Sequence, residues 1–352
     1  MKKDLTARAP APQWTLIRGA RQLLTLRGPS GPRRGAAMNQ LNVITDGAVL
    51  IRDGVIDEVG PERRVENLGK ARKAREIDAS GSIVMPAFVD PDAVLIAPSP
   101  SGDRHNLRVL SRRIVESAAL VVADEWARSG VLSMGAHTGY ASNLKDSLKI
   151  LRVHRALQGK PLRIRSIFSP RTALKSDLEE KWLPAVRRRN LASIVEFSTG
   201  SAEGELNAEQ IGQAAIAAAG LGLSIRIRSM GDAEDSLYAL ARRAGAVAWI
   251  GFPPAPNAAA PRDFGGVYVL PCSASLGRSG AHSENIRPAI AEGIPFALAS
   301  SCPLDGLRSA NPQFLLYLAV ESFGLSPEEA IIASTYNAAC SLKMSHVTGS
   351  LE

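Results

Sequence analysis

The stretch Val84-Met85-Pro86-Ala87-Phe88-Val89-Asp90-Pro91-Asp92-Ala93-Val94 marks the place where the pattern of this chain changes. Before it, short segments alternate apolar and polar residues. From Ile83 onward, apolar runs of strand length alternate with amphipathic stretches of helical length. A parallel sheet requires that second pattern, because each crossover between parallel strands must cover a sheet face with a helix. Eight candidate strands follow: residues 83–89, 131–136, 162–168, 192–197, 224–229, 246–250, 267–270 and 295–300. Eight in one chain favour a closed (β/α)8 barrel of the TIM type over an open doubly wound sheet.

Helix start and stop signals fit that alternation. Ser176-Asp177-Leu178-Glu179 reads as a capping box, Asn207 with Gln210 nearly repeats it, and Ser326-Pro327-Glu328-Glu329 adds proline in the first turn. Gly130, Gly245, Gly293 and Gly324 stand where a left-handed C-terminal cap is needed. The proline-rich run from Phe252 to Pro261 predicts an irregular sixth connection.

Working back toward the N-terminus, residues 1–13 end in Ala9-Pro10-Ala11-Pro12 and read as a flexible tail. Residues 14–80 form a small β-sandwich domain, with strands at 15–26, 48–52 and 55–59 and a tight hairpin at Arg52-Asp53-Gly54-Val55. Residues 81–345 form the barrel, and residues 346–352 turn back toward the sandwich.

Composition narrows the function classes. The 352 residues are 45% hydrophobic, ample for a large core, and no apolar run approaches the roughly 20 residues that span a bilayer. The start, Met1-Lys2-Lys3-Asp4-Leu5, lacks the apolar core of a signal peptide, so a cytoplasmic location is expected. Net charge is +8, but the basic residues are dispersed and aromatics make up only 5%, which gives no stacking platform for nucleic acid. Cys272, Cys302 and Cys340 have neither disulfide nor zinc-ligand spacing.

Three groups of residues carry a family resemblance. Asp46-Gly47-Ala48-Val49-Leu50-Ile51-Arg52-Asp53-Gly54 opens the small domain; His137-Thr138-Gly139-Tyr140 is followed by Ser147-Leu148-Lys149-Ile150-Leu151-Arg152; and Leu325-Ser326-Pro327-Glu328-Glu329-Ala330 precedes Thr335-Tyr336-Asn337-Ala338-Ala339. With the run into Asp92, they make the chain resemble the amidohydrolase superfamily, and within it the imidazolonepropionases, which open an imidazolone ring. The resemblance runs from about Trp14 to Glu352. It implies a barrel with a β-sandwich, a zinc or iron ion, and hydrolysis of a carbon-nitrogen bond in a cyclic amide. Family members continue beyond the point matching Glu352, so an incomplete sandwich with an open edge is expected.

The resemblance also implies where the metal ligands belong, and there this chain departs from the pattern. The His-x-His of the first strand falls on Asp92 and Val94, the histidine after the fifth strand on Arg228, the one after the sixth on about Gly251, and the aspartate after the eighth on Ser301. A hydrolytic metal site needs several imidazoles and a carboxylate to lower the pKa of bound water. Only Asp92 retains a ligating group, so no metal cofactor is expected. The histidines His105, His137, His154, His282 and His346 lie at other positions and show no ligand spacing.

Substrate positions implied by the resemblance fall near Ser101, Tyr140 and Thr172. Tyr140 matches; Ser101 and Thr172 stand where an arginine and a histidine are expected. Glu196, near the end of the fourth strand, is read as a surface or ion-paired residue. Arg228 at a former ligand position, facing Asp92, predicts an ion pair that substitutes a fixed cation for the metal. Arg226 shares its face by the period of two. A catalytically degenerate, metal-free member results, acting as a ligand-binding or assembly/regulatory scaffold. The ligand pocket is expected to be lined by Tyr140, Thr172, Arg228, Asp92 and Ser101, with a small anion as ligand and a homo-oligomer, or a heteromer with a related chain, as the assembly. The alternative is a hydrolase of cyclic amides working through a different site, with Asp92 or Glu196 as its acid or base.

Overall fold

The computed structural model describes residues 12–96, 106–139, 141, 143–170, 175–199, 206–229, 235–256, 263–272, 283–301 and 311–352. Contacts divide the chain into two compact units. One comprises Met1–Pro29, Leu41–Pro86 and Ser350–Glu352, and the other Ser30–Gln40 and Ala87–Gly349. Residues 30–40, within the span assigned to the sandwich from sequence, belong to the larger unit.

The small unit is a five-stranded sheet built on β1 (Trp14–Leu24), β2 (Val43–Arg52), β3 (Val55–Pro61), β4 (Arg75–Asp78) and β5 (Ile83–Val84). β2 and β3 form the expected hairpin, with Arg52 opposite Val55. Asp53 and Gly54 both have positive φ, 51° and 81°. Such a turn twists in the same sense as its flanking strands, which is why Asp-Gly is favoured there. β4 and β5 pair in parallel with β1. All four residues of β4 are exposed, so it carries no apolar alternation by which a strand could be recognised. Leu351 donates its N–H to Thr25 O at 2.9 Å.

The larger unit is the expected barrel. Its eight parallel strands are β6 (Phe88–Ala93), β7 (Val131–His137), β8 (Arg163–Phe168), β9 (Ile194–Ser198), β10 (Ser224–Arg228), β11 (Ala248–Ile250), β12 (Val267–Pro271) and β13 (Phe296–Ala299), paired in chain order. One strand expectation is corrected. The run 83–89 is not a single strand: Ile83 and Val84 pair with β1 in the small sheet, whereas the barrel strand starts at Phe88. The two prolines between and within these pieces, Pro86 and Pro91, lack the N–H that a continuous ladder would need.

Strand alternation sorts the core. Val89, Ile167, Ile194, Ala248, Ile250, Val267, Val269, Ala297 and Ala299 point inward and pack on Ala338, Ala339, Leu342 and Met344, filling one end of the barrel. Their neighbours, such as Val195, Phe197, Ile225 and Ile227, face the surrounding helices. Helix caps follow the local sequence at two of three sites. Asn207 with Gln210 and Ser326 with Glu329 are full capping boxes. Ser176 is not a cap, because it already lies within the helical turn Lys175–Asp177, which continues into a π-helical turn. Gly130, Gly245, Gly293 and Gly324 all adopt positive φ, as a left-handed helix stop demands. No helix among the described residues is long and apolar enough to cross a membrane.

Two close approaches set the position of the first barrel strand. One is its junction with the last strand. There Ser301 N–H donates to Asp92 O at 3.0 Å, and Ser300 N–H donates to the Asp90 carboxyl at 3.2 Å. The other is at Gly135, where an added Cβ would lie 2.4 Å from Pro91 O and 2.7 Å from Leu342 Cδ2. That bare backbone leaves room for β6 to bring the Pro91 carbonyl inward, where it accepts from Arg226 Nη1 at 2.6 Å. Gly135→Ala is expected to cost about 1–3 kcal/mol by overpacking, read as a lower urea midpoint.

Candidate functional site

Arg226 and Arg228 lie on β10 two residues apart, so both side chains enter the barrel, while Ile225 and Ile227 turn outward. Glu196 faces inward on the adjacent β9, directly opposite Arg226 in register. Asp92 arrives from β6. These four side chains, none more than 5% exposed, form one charge-balanced cluster. Arg226 Nε donates to Glu196 Oε2 at 2.6 Å, and its Nη2 bonds Asp92 Oδ1. Arg228 Nε donates to Glu196 Oε1 at 3.1 Å, and its Nη2 reaches both Asp92 Oδ1 and Glu196 Oε2.

The expected pairing of Arg228 with Asp92 is therefore present, within a larger arrangement. Arg226, expected to share the face of Arg228, is a full member of it, and Glu196 is ion-paired in the interior. Burial alone would raise the Asp92 and Glu196 carboxyls, but Arg228 and Arg226 reverse that and hold both below the usual carboxylate range. The same carboxylates outweigh burial at Arg228 and push its guanidinium further up.

Around the cluster lie the other positions to which the resemblance assigned metal ligands. Ser301, in the left-handed region at φ 49°, donates Oγ to Asp92 Oδ2 at 2.7 Å. Val94, just after the first barrel strand, is buried. Gly251 has φ 138°, and a Cβ there would lie 2.0 Å from Ser229 O, so no side chain fits without moving the backbone. The substrate positions Ser101, Tyr140 and Thr172 lie outside the described residues.

His137, at the end of β7, was expected to lie elsewhere but belongs to this site. Its Nε2 is 3.8 Å from Asp92 Oδ1, and its Nδ1 accepts the Gly139 N–H at 3.1 Å. An imidazole accepting at Nδ1 carries its proton on Nε2, so an N–H, not a lone pair, faces the cluster. Burial pushes its pKa down to about 4, against the pull of Asp92 and Glu196, and the ring is neutral. His154 is likewise buried and pushed down to about 3, by burial and by His137.

A family metal does not fit this donor set. Both carboxylates are engaged, Glu196 by guanidinium N–H groups and Asp92 by guanidinium N–H groups at Oδ1 and the Ser301 hydroxyl at Oδ2, the nearby imidazole presents a proton, and the backbone at Gly251 excludes a side chain. Among the described residues no group of three or more His, Cys, Asp or Glu side chains is arranged to hold a metal ion. Nor does a serine or cysteine nucleophile emerge. Ser300 and Ser301 are fully buried, burial pushes the Cys272 thiol up, and Ser273, Ser275 and Cys302 lie outside the described residues.

Asp90 was not singled out from the sequence. Its buried carboxyl accepts the Asp92 N–H at 3.0 Å and the Ser300 N–H, and burial raises its pKa to about 7. β6 is irregular in its register on either side of Asp90, so strand alternation does not place this carboxyl, and one of its two partners, Ser300, follows the eighth strand.

No family model matches the chain. Individual proteins do. It is 30% identical over 382 residues to an imidazolonepropionase of Symbiobacterium thermophilum, covering 96% of this chain and 88% of the relative. It is 28% identical to the imidazolonepropionase of Brevibacillus brevis, covering 97% and 89%. In fold it is similar to A. niger ochratoxinase, with a TM-score of 0.70, 16% identity and 97% and 87% coverage. An uncharacterized metal-dependent hydrolase from Pyrococcus furiosus has a TM-score of 0.70, 12% identity and 96% coverage of each chain. The chain belongs to the amidohydrolase superfamily, and within it to the imidazolonepropionase-like proteins.

Two outcomes test the cluster. Arg226→Ala leaves two buried carboxylates short of a partner and is expected to destabilise by about 3–5 kcal/mol in urea unfolding, whereas replacing all four members with apolar residues of similar volume costs far less. For Asp90 the folded pKa lies above the unfolded value of about 3.9, so its contribution is full below pH ~4 and is lost as pH rises to about 7. His137 and His154, held neutral, change stability in the opposite direction over part of that window. The stability of wild type minus that of Asp90→Asn is therefore the quantity to measure, and it should fall between pH ~4 and ~7.

Proposed function

We propose that this chain is a catalytically degenerate, metal-free imidazolonepropionase-like protein that acts as a ligand-binding scaffold. The observation that carries the reading is the Asp92–Glu196–Arg226–Arg228 cluster: two guanidinium groups bridge two carboxylates at the barrel positions where a hydrolytic relative is expected to place its metal site. A metal-bound hydroxide attacks because the ion stabilises it at neutral pH. A guanidinium supplies positive charge but no open coordination position, so the water-activating step has no agent here.

The alternative, hydrolysis through Asp92 or Glu196 as general base, requires a carboxylate whose pKa lies near the working pH. Both are instead held low and fully engaged by arginine. Asp90 has a suitable pKa, but its carboxyl is fully buried and occupied by two backbone N–H groups.

The deciding experiment is elemental mass spectrometry on purified protein, before and after incubation with zinc or iron, together with an imidazolone ring-opening assay. Substoichiometric metal and no turnover are expected. Stoichiometric metal with turnover would overturn the reading.

A further inference from the structure

The helix Arg112–Arg128, which follows the first barrel strand, has an apolar outer face and charges set against its own dipole. Its inner side buries Val115, Ala119, Ala123 and Trp126 against the barrel. The outer side of such a helix is ordinarily polar. Here Ile114 is 54% exposed and Val121 62%, with Leu120 beside them. Ser117 and Ala118, small and also exposed, lie between these apolar side chains. By helical periodicity Ile114, Ser117, Val121 and Asp124 fall on one stripe.

The charges on this helix are placed the wrong way round for a helix alone. Acidic residues stabilise an N-terminus and basic residues a C-terminus. The first turn holds Arg112 and Arg113 and no acidic residue, while Asp124 and Glu125 stand near the C-terminal end, where Arg128 has the favourable sign. Arg112 is paired with Glu116 at 2.8 Å. Among the described residues Arg113, Asp124 and Glu125 make no ion pair, and all three are exposed.

A second copy of the same helix running antiparallel answers both features. A two-fold axis crossing the helix near Ala118 sets Arg113 of one copy opposite the partner's Asp124, and Ile114 opposite the partner's Val121, because the members of each pair lie at nearly equal distances on either side of Ala118. Two-fold symmetry makes each contact twice. The basic end of one helix then meets the acidic end of the other, and the small side chains of Ser117 and Ala118 at the axis let the two backbones approach.

We propose that the outer face of the helix Arg112–Arg128 is a docking surface for a second copy of this chain, with the two helices packed antiparallel across a two-fold axis. Ile114, Leu120 and Val121 form its apolar centre, and Arg113 with the partner's Asp124 fixes the direction and register of the pair. Like charges meet if the helices run parallel, so the same residues discriminate against that arrangement.

The test is sedimentation equilibrium on the full-length wild type, on Arg113→Asp, Asp124→Arg and Val121→Glu, and on the double variant Arg113→Asp/Asp124→Arg. The wild type is expected to be a dimer. Each single charge reversal turns two attractions into two repulsions and is expected to weaken the dimer at least about tenfold. Val121→Glu, which places a charge in the apolar centre, is expected to weaken it at least as much. The double variant restores the attraction with its polarity exchanged and is expected to return to within about threefold of wild type. Both charge reversals move the helix toward the sign its dipole prefers, so urea unfolding of the two variants at concentrations where they are monomeric should show no loss of stability, which separates a lost interface from a damaged fold. A monomeric wild type, a dimer that persists unchanged in any of the three single variants, or a double variant no tighter than its parents would each overturn the proposal.

Discussion

Two carboxylates buried side by side repel each other and lose their hydration, and this interior tolerates them only because two guanidinium groups meet both at once. Asp92 from β6 and Glu196 from β9 are on strands that do not pair with each other, and Arg226 and Arg228 from β10 tie them together. Other features serve that geometry. Gly135 gives up its side chain so that the Pro91 carbonyl can take an Arg226 N–H, Ser301 adopts a left-handed backbone and occupies the second oxygen of Asp92, and Asp90 accepts the Asp92 amide. A buried ion cluster of this kind adds little net stability over apolar packing. Its value lies in fixing where three strands stand relative to one another.

Features set by a few adjacent residues were legible in the sequence. The Asp53-Gly54 turn and the boxes at Asn207 and Ser326 need only their own neighbours, and the structure has them. The eight barrel strands were legible because apolar runs of strand length between helical stretches permit few architectures. The segment 83–89 was misread because it is continuous in hydrophobicity but divided in partnership, and nothing local records that Ile83 pairs with β1. β4 went unseen because an exposed strand carries no apolar alternation.

The site was legible in part for a related reason. That Arg226 and Arg228 share a face follows from strand periodicity, and the pairing of Arg228 with Asp92 followed from their shared place in the family pattern. Glu196 as the common partner depends on the register between β9 and β10, and His137 depends on how the end of β7 closes over the first strand. Such relations between distant segments are fixed by packing, and no spacing within the sequence encodes them.

The junction between the first and last barrel strands has a consequence for how the protein reaches its native state. It is fastened by contacts between residues 209 and 210 positions apart, Ser301 to Asp92 and Ser300 to Asp90. Every other strand pairing in the barrel joins consecutive strands and can propagate outward from any local nucleus. This one cannot form until the chain has wound through all eight strands, so it carries nearly the whole entropy of closing a long loop. Asp92 links that junction to the polar cluster: Ser301 holds one of its oxygens, and the other meets the arginines of β10, whereas Glu196 reaches the same arginines from the adjacent β9. A chain wound through β9 and β10 can thus pair one carboxylate with the arginines, and their second counterion arrives only with the first strand.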